Sequence, residues 1–285
     1  MSDPEQLPIH PPRAAPRTQP LLRRVFDAAI PPLLFGMLLC VLYALARAQL
    51  EPYRRFLMPG PGDLWMGAFG TPAALRDLAS AAVETLRIAL GGLALSIPGG
   101  VLLGLLAFRS RYFERAVFPY LVVLQSVPIL AIIPLLQSLL GFGFLPKVLV
   151  VALFTFFAVP TTLLLGLRSV DPGILDLFRL QGAGWGLALR KAALPSALPT
   201  LFAGLRISAS MAVIGAIVSE LFFVSGEGGL GQLLVNAKAD FQYEVMYAAL
   251  IVGSLLSLGV YLAFNAVGRR LFGHWHPSAG EDAGR

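Results

Sequence analysis

The stretch RSVDPGILDLFRLQGAGWGLALRKAALPSALP, residues 168–199, is the polar segment around which the rest of the sequence is arranged. Long apolar runs flank it on both sides, and its charges would be costly inside a bilayer. The charged residues are Arg168, Asp171, Asp176, Arg179, Arg190 and Lys191. Because the segment combines these charges with helix-forming sequence, we expect it to lie outside the membrane and to contact another molecule there.

The composition restricts the chain to the class of helical membrane proteins. Hydrophobic residues make up 56% of the 285 residues and charged residues only 13%, against roughly 25% in an average soluble domain. Several apolar runs reach the ~20 residues that a helix needs to cross the hydrocarbon core, and they lack the alternation of a membrane β-barrel. The net charge of +6 is interpreted as basic cytoplasmic loops rather than a nucleic-acid surface. The single Cys40 excludes an intrachain disulfide.

Six apolar runs are predicted to be transmembrane helices. They cover, approximately, residues 30–46, 82–108, 116–136, 148–167, 201–224 and 245–267. With both termini in the cytoplasm, 15 of the 22 basic residues fall on the cytoplasmic side and 7 on the other. This agrees with the positive-inside rule, so we predict an all-α polytopic membrane protein with six transmembrane helices and cytoplasmic N- and C-termini.

The pattern of apolar runs and charged residues divides the chain into four segments. Residues 1–24, rich in Pro and Arg, are predicted to be a disordered cytoplasmic tail. Residues 25–79 contain the first transmembrane helix and a periplasmic connection, and residues 80–272 form the transmembrane core. Residues 273–285 are a polar C-terminal tail. Segment 168–199 then lies inside the cell, as a loop of the core.

This cytoplasmic segment is predicted to fold as two short helices. Asp171 followed by Pro172 is a good helix start, because Asp caps the first turn and Pro fits into it. Gly182 and Gly184 separate two pieces that each have an apolar side. The run LPSALP, residues 194–199, is predicted to break the chain before it enters the membrane again.

Two aromatic residues, Phe178 and Trp185, decide between two interpretations of the segment. A solvated loop with incidental helix accounts for the charges, but it does not account for aromatic side chains at the cytoplasmic face. Exposed aromatic residues beside short helices favour docking into a groove on a partner. We therefore interpret the segment as a docking element.

The spacing within the segment resembles the cytoplasmic loop of the permease subunits of ATP-binding-cassette importers. That loop reads Glu-Ala-Ala, three residues, Gly, nine residues, Ile, any residue, Leu-Pro. Gly182, Leu194 and Pro195 match this pattern, and Asp176 stands at the acidic position, where only the charge agrees. The other departures from the pattern are Leu177 and Phe178 for the two alanines and Ala192 for Ile.

Flanking pieces of sequence are similar to the nitrate, sulfonate and taurine branch of these permeases. The resemblance covers about residues 80–270. The pieces are SVPILAIIPLL (126–136), GFGFLPK (141–147), LPSALPTLFAGLRIS (194–208) and SELFFVSGEGGLGQLL (219–234).

The resemblance implies a MetI-like, type I importer permease in the bacterial inner membrane. Two permease copies, a homodimer in the lipid bilayer, would form the path for a small, nitrate-, sulfonate- or taurine-like solute delivered by a periplasmic binding protein. Two copies of a cytoplasmic ATPase would carry ATP and Mg, because this chain has no GxxxxGK[ST] phosphate loop. The chain itself is therefore expected to be no enzyme and to bind no cofactor or metal. The residues assigned to ATPase coupling are Asp176, Phe178, Gly182, Ala183, Trp185, Leu194 and Pro195.

Five polar residues within or near the ends of predicted spans are candidates to line the solute path. They are Gln125, Ser126, Thr155, Ser210 and Glu220. The first four fall at similar depth, where ordinary hydrogen bonds between helices are the alternative. Glu220 either contributes to a gate near the outer mouth, or is a helix-end carboxylate satisfied by the backbone or by the glycine-rich turn 226–231.

Two other classes of function compete with the permease. A secondary transporter or channel commonly has ionisable groups at the centre of its spans and often internal repeats, and neither feature is evident in this sequence. An intramembrane enzyme needs clustered catalytic groups at one depth, whereas the three histidines lie near the termini. The permease is therefore the function that the sequence favours.

Overall fold

The computed structural model describes residues 21–223 and 228–272, and within these ranges the chain forms helices and turns without a strand. The all-α prediction is therefore confirmed. The chain divides into two compact units, the first ending at Arg55 and the second beginning at Phe56. The C-terminal tail and most of the predicted N-terminal tail lie outside the described residues.

The first unit contains one long helix, α1 (Leu21–Gln49). Its apolar part, Leu33–Gln49, overlaps the first predicted span. Large apolar side chains such as Phe35 and Leu42 are more than half exposed along it, as expected for a helix surrounded by lipid. A 3₁₀ turn, Pro52–Leu57, covers residues on both sides of the unit boundary.

The second unit consists of helices joined by short connections. In chain order these are α2 (Pro61–Leu64), a π-turn (Trp65–Phe69), α3 (Pro72–Arg109), α4 (Arg111–Ser126), α5 (Ile129–Leu140), α6 (Phe144–Phe156), α7 (Ala158–Arg168), α8 (Pro172–Leu180), α9 (Trp185–Ala188), a second π-turn (Leu189–Ala193), α10 (Leu194–Phe222), α11 (Leu230–Ala239) and α12 (Tyr243–Phe272). Helix α11 lies within a stretch that the sequence analysis treats as a loop.

Four stretches among the described residues are long and apolar enough to cross a membrane. They are α3, the pair α6–α7 (Phe144–Arg168), the continuous stretch Trp185–Phe222 and most of α12 (Tyr243–Leu271). They contain the second, fourth and sixth predicted spans and nearly all of the fifth. The pair α4–α5 would make a fifth if it counts as one span.

The third predicted span, residues 116–136, is broken in the structure into two helices. Helices α4 and α5 meet at 92°. Pro128 lacks an N–H and restricts the preceding residue to extended backbone, and Val127 is extended, with φ −71° and ψ 126°. The chain therefore turns sharply at these two residues.

The predicted break at residues 194–199 is also wrong, because the chain is helical from Trp185 through to Phe222. A π-turn precedes Leu194, and Pro195 follows at the second position of α10. Pro199 is accommodated inside the helix, as packed membrane helices allow. The cytoplasmic segment and the fifth span are thus one helical stretch of 38 residues.

Helix α10 lies at the centre of the unit. Its Ala209, Ala212 and Ala216 form a buried cluster with residues of α3, α6 and α12. Close approach depends on glycine: a Cβ on Gly204 would overlap the side chain of Thr162. Small residues of this kind allow membrane helices to pack closely.

Helix α12 runs antiparallel to α10. The hydroxyls of Ser210 and Ser257 lie 2.8 Å apart, and Arg206 Nη1 donates to Asn265 Oδ1 at 3.1 Å. Between these two contacts the residue number rises along α10, from Arg206 to Ser210, and falls along α12, from Asn265 to Ser257. The start of α12 therefore lies at the Phe222 end of α10, opposite to Trp185.

Candidate functional site

Helix α8 begins as its sequence predicts. The Asp171 carboxylate accepts a hydrogen bond from the Gly173 N–H at 2.7 Å, and Pro172 occupies the first position of the helix. Leu175 and Phe178 form the inner face of α8 and pack against a buried cluster built mainly by α7 and α10. Phe178 is half-buried and packs against the transmembrane helices, so the expectation that its ring is exposed for docking is wrong.

Helix α8 ends in a Schellman motif, which explains the glycine of the sequence pattern. The Gly182 N–H donates to the Arg179 carbonyl at 3.0 Å, and the Ala183 N–H donates to the Phe178 carbonyl at 2.9 Å. Gly182 has φ +68°, the left-handed conformation that this motif requires. A Cβ at Gly182 would meet nothing within 4 Å, so the position requires glycine for its backbone conformation and not for space.

The outward face of α8 is apolar. Ile174, Leu177 and Leu180 recur every three residues and are 47%, 53% and 86% exposed. Trp185, at the start of α9, is also exposed. The exposed stripe is therefore aliphatic, and the sequence analysis missed it because it gave weight to the aromatic Phe178.

The remaining coupling candidates lie in different surroundings. Asp176 and Arg179 form an exposed ion pair at 2.8 Å. Leu194 packs on the same buried cluster as Phe178, whereas Pro195 is exposed at the start of α10. The structure thus brings the seven coupling candidates into one compact segment.

Two charged contacts join this segment to the helices beside it. The Arg109 guanidinium lies 5.5 Å from the centre of the Trp185 ring, and Arg168 pairs with both carboxylate oxygens of Glu114, with Nη1 to Oε1 at 2.8 Å. The basic stretch 109–115, predicted to be cytoplasmic, therefore lies at the same end of the unit as α8.

The other end of α10 contains a buried polar cluster centred on Glu220. Glu220 and Thr85 are fully buried. The Thr85 hydroxyl lies 3.0 and 2.9 Å from the two carboxylate oxygens of Glu220, and it accepts the Leu230 N–H at 2.8 Å. Glu220 Oε2 also accepts the Gly231 N–H at 2.8 Å. The carboxylate thereby joins α10 to α3 and to the first turn of α11.

Glycine makes this cluster possible. A Cβ on Gly229 would overlap the Glu220 carboxylate and lie 2.5 Å from Thr85 Oγ1. The arrangement agrees with the helix-end alternative for Glu220, although Gly226 lies outside the described residues. The sequence analysis missed Thr85, because nothing in a linear sequence indicates that residues 135 positions apart meet.

A buried lysine adds positive charge beside this cluster. Lys147, in the first turn of α6, is only 3% exposed and attracts the Glu220 carboxylate electrostatically. Removing one partner from such a buried group is costly. The cluster therefore holds the end of α10 against α3 and α11.

The other four path candidates do not converge on one site. Thr155 donates to the Val151 carbonyl at 3.0 Å and lies 2.9 Å from the Ser96 hydroxyl. Ser210 pairs with α12, and Ser126 donates to the Val122 carbonyl at 3.2 Å. These are ordinary hydrogen bonds within and between helices.

Gln125 differs from those three residues, because it lines a cavity of about 400 Å³ beside the α4–α5 bend. Five aliphatic residues and three phenylalanines form the rest of its wall. They are Leu121, Leu124, Ile129, Ile132, Leu153, Phe154, Phe156 and Phe157. None of the residues that line this wall is charged. Elsewhere in residues 21–223 and 228–272, no cluster of His, Cys, Asp and Glu could hold a metal ion.

Sequence comparison identifies relatives over most of the chain. Residues 96–273 match the family model of the binding-protein-dependent transport system inner membrane component. The formylaminopyrimidine transport permease protein ThiX of Halalkalibacterium halodurans is 34% identical over 86% of this chain and 94% of its own. The riboflavin transport system permease protein RibX of Chloroflexus aurantiacus is 31% identical over 93% and 97%. A putative aliphatic sulfonates transport permease protein, SsuC of Bacillus subtilis, is 33% identical over 60% of each chain.

Solved structures agree on the fold. A chain of the MetNI methionine ABC transporter in an inward-facing conformation matches with a TM-score of 0.58 and 21% identity, over 70% of this chain and 98% of that one. The fold is thus MetI-like, and ATP hydrolysis takes place on a separate subunit in this family. The chain belongs to the binding-protein-dependent inner membrane components and is the multi-pass permease subunit of an ATP-binding-cassette importer.

Proposed function

We propose that two copies of this chain form the translocation path of an importer in the bacterial inner membrane, driven by two copies of an ATPase subunit. One observation carries the proposal: the continuous helical stretch Trp185–Phe222 has the coupling segment at one end and the Glu220 cluster at the other. At about 1.5 Å per residue, 38 residues extend about 57 Å. The stretch is long enough to connect a cytoplasmic partner with the opposite membrane surface.

The ATPase subunit would bind the exposed apolar stripe Ile174–Leu177–Leu180. An amphipathic helix that lays spaced apolar anchors into a groove is a common recognition mode. The inner face of α8, through Leu175 and Phe178, packs against the cluster that α10 helps to build. Movement of the docked stripe is therefore passed to α10 through packed side chains.

The Glu220 carboxylate is satisfied as a helix-end group, and we propose that the same cluster is also the outer gate contact. It fixes the end of α10 to α3 and α11 by buried hydrogen bonds. A change of α10 orientation at the coupling segment must strain or release these contacts. ATP binding and hydrolysis on the partner would in this way bias a two-state arrangement of the permease.

Two solute classes are candidates for this path. A nitrate-, sulfonate- or taurine-like anion is supported by the sequence pieces and by the relative named for aliphatic sulfonates. A planar, uncharged heterocycle is supported by the cavity at Gln125, where three phenylalanines and one amide would stack on and hydrogen-bond a ring. The relatives named for formylaminopyrimidine and riboflavin cover more of the chain than the sulfonate relative. Ligand screening of the cognate binding protein against both classes separates them.

The test of the proposed function is uptake by lipid vesicles that contain the permease, with the ATPase subunit and the liganded binding protein added or omitted. We expect uptake only when both partners and ATP are present. Uptake that persists without the ATPase would instead identify a channel or a secondary transporter. A non-hydrolysable ATP analogue is the matched control for the energy requirement.

A further inference from the structure

The end of α11 has an unusual backbone conformation. Phe241 has φ +59° and is the only non-glycine residue with positive φ among residues 21–223 and 228–272. Its N–H donates to the Lys238 carbonyl at 3.3 Å, and the Gln242 N–H donates to the Ala237 carbonyl at 2.8 Å. This is again a Schellman motif, with a phenylalanine at the position that normally carries glycine.

Folding does not account for this phenylalanine. The left-handed conformation is unfavourable for a bulky residue, and the side chain is 68% exposed, so burial gives little in return. Gly182 shows that the same motif forms with glycine in this chain. A residue held in a strained conformation with its aromatic ring exposed is a candidate functional residue.

The position of Phe241 indicates which partner protein it contacts. It lies just before α12, at the Glu220 end of α10 and opposite to the coupling segment, which is the end that faces away from the ATPase. The family depends on a binding protein, which must reach the permease from this side if the ATPase docks on the other. Asn236, Lys238 and Asp240 are also exposed at the end of α11, so the turn presents polar groups close in sequence to the apolar ring, as a protein interface with an apolar centre and a polar rim requires.

We propose that Phe241 is an anchor residue that docks the solute-binding protein on the permease. This inference rests on the proposed function, and it assigns the α11–α12 turn as part of the docking surface. The binding protein is expected to present an apolar pocket with charged groups at its edge. The exposed Met66 adds apolar surface near this turn. It is next in sequence to Gly67, which lies against Glu244 at the start of α12.

The test compares Phe241→Gly, Phe241→Asn and Phe241→Tyr in the complete transporter, reconstituted in lipid nanodiscs with its ATPase. The measurement is ATP hydrolysis as a function of the concentration of liganded binding protein. Glycine and asparagine accept the backbone conformation but remove the ring, whereas tyrosine keeps the ring. We expect about a tenfold rise in the apparent KM for the binding protein with Gly and Asn, a retained maximal rate, and a near wild-type KM with Tyr.

Each outcome of this experiment either supports or overturns the docking role of Phe241. A Gly variant that binds as tightly as the wild type overturns the docking role, because the ring is then dispensable. A Gly variant that inserts poorly while the surviving protein keeps the wild-type KM assigns the ring to the lipid interface and also overturns it. If the binding protein does not stimulate the wild-type transporter at all, the proposed function itself fails. Stimulation of the wild type with an unchanged Gly variant refutes only the inference.

Discussion

Helices α8 and α11 end in the same hydrogen-bonded motif at opposite ends of the molecule, but with different residues. At the coupling end, Gly182 provides the left-handed turn and adds no side chain. At the other end, Phe241 adopts the same turn and presents an exposed ring. The comparison shows that glycine is sufficient at this position of the turn. A larger side chain at the same position therefore has a role other than forming the turn.

The two ends also differ in how tightly they pack. The coupling segment exposes α8 and leaves open space around Gly182. The opposite end buries a carboxylate, a hydroxyl and two backbone amides in one cluster. We therefore expect substitutions at the Glu220 cluster to affect stability, and substitutions at the coupling end to affect docking and coupling.

The largest effect is expected for Thr85→Val. The change removes the hydroxyl that lies between Glu220 and the Leu230 N–H, and leaves the buried Glu220 carboxyl group and that N–H each short of a partner. Such a loss costs about 3 kcal/mol. Thermal unfolding in detergent measures it, with Thr85→Ser as the control that keeps the hydroxyl. A stability equal to that of the wild type would show that the cluster contributes little.

Leu180→Asp is expected to weaken binding of the ATPase subunit by about 2 kcal/mol, because it places a charge on the most exposed residue of the apolar stripe, at its C-terminal end. Co-purification of the ATPase at graded concentrations measures the affinity. Gln181→Asp adds the same charge on a neighbouring exposed position outside the stripe. Equal losses in the two variants would argue against the stripe as the docking face.

Gly182→Ala is expected to destabilise the end of α8 by about 1–2 kcal/mol, because an L-residue is unfavourable at positive φ. Amide hydrogen exchange in α8 should become roughly 5–30-fold faster. Gly184→Ala is the matched control, since Gly184 has φ −65° and open space around it. Equal exchange in both variants would mean that the left-handed turn is not required.

Phe241→Gly should stabilise the permease, whereas Gly182→Ala should destabilise the end of α8. Relief of the left-handed strain is expected to stabilise the permease by about 1 kcal/mol, which corresponds to roughly 2–4 °C in Tm for a domain of similar size. A scan of the purified permease without partners measures it. A lower Tm would mean that the ring is needed for folding, and the comparison of the two turns would fail.

The smallest effect is expected for Asp176→Ala. Its ion pair with Arg179 is exposed on both sides, and exposed pairs of this kind contribute about 0.5 kcal/mol or less. The unfolding midpoint should be nearly unchanged. A large loss of stability would show that the acidic position of the sequence pattern has a structural role within the loop itself.

The sequence predicted the features that depend on composition and local spacing. Apolar length located the four stretches that are long enough to cross a membrane, and the Asp171–Pro172 start and the turn at Gly182 follow from residues close together in the chain. The 92° turn at Pro128 was not predicted, and it also depends on where α5 packs, through Ile133 against Val150 and Phe223.

Features that depend on long-range contacts were not predictable in this way. The Thr85–Glu220 contact and the inner position of Phe178 exist only once the helices have packed. The conformation of Phe241 was missed for another reason, since the sequence alone suggests a glycine rather than a phenylalanine at the end of a helix. The exposed stripe of α8 could have been found from the spacing of Ile174, Leu177 and Leu180.

The coupling ratio of the Gly182→Ala transporter, ATP hydrolysed per solute imported into vesicles, tests the central claim most directly. If the coupling segment transmits ATPase motion through α10, this variant should still assemble and hydrolyse ATP but import several-fold less solute per ATP, while Gly184→Ala should match the wild type. A wild-type coupling ratio in Gly182→Ala would contradict the account.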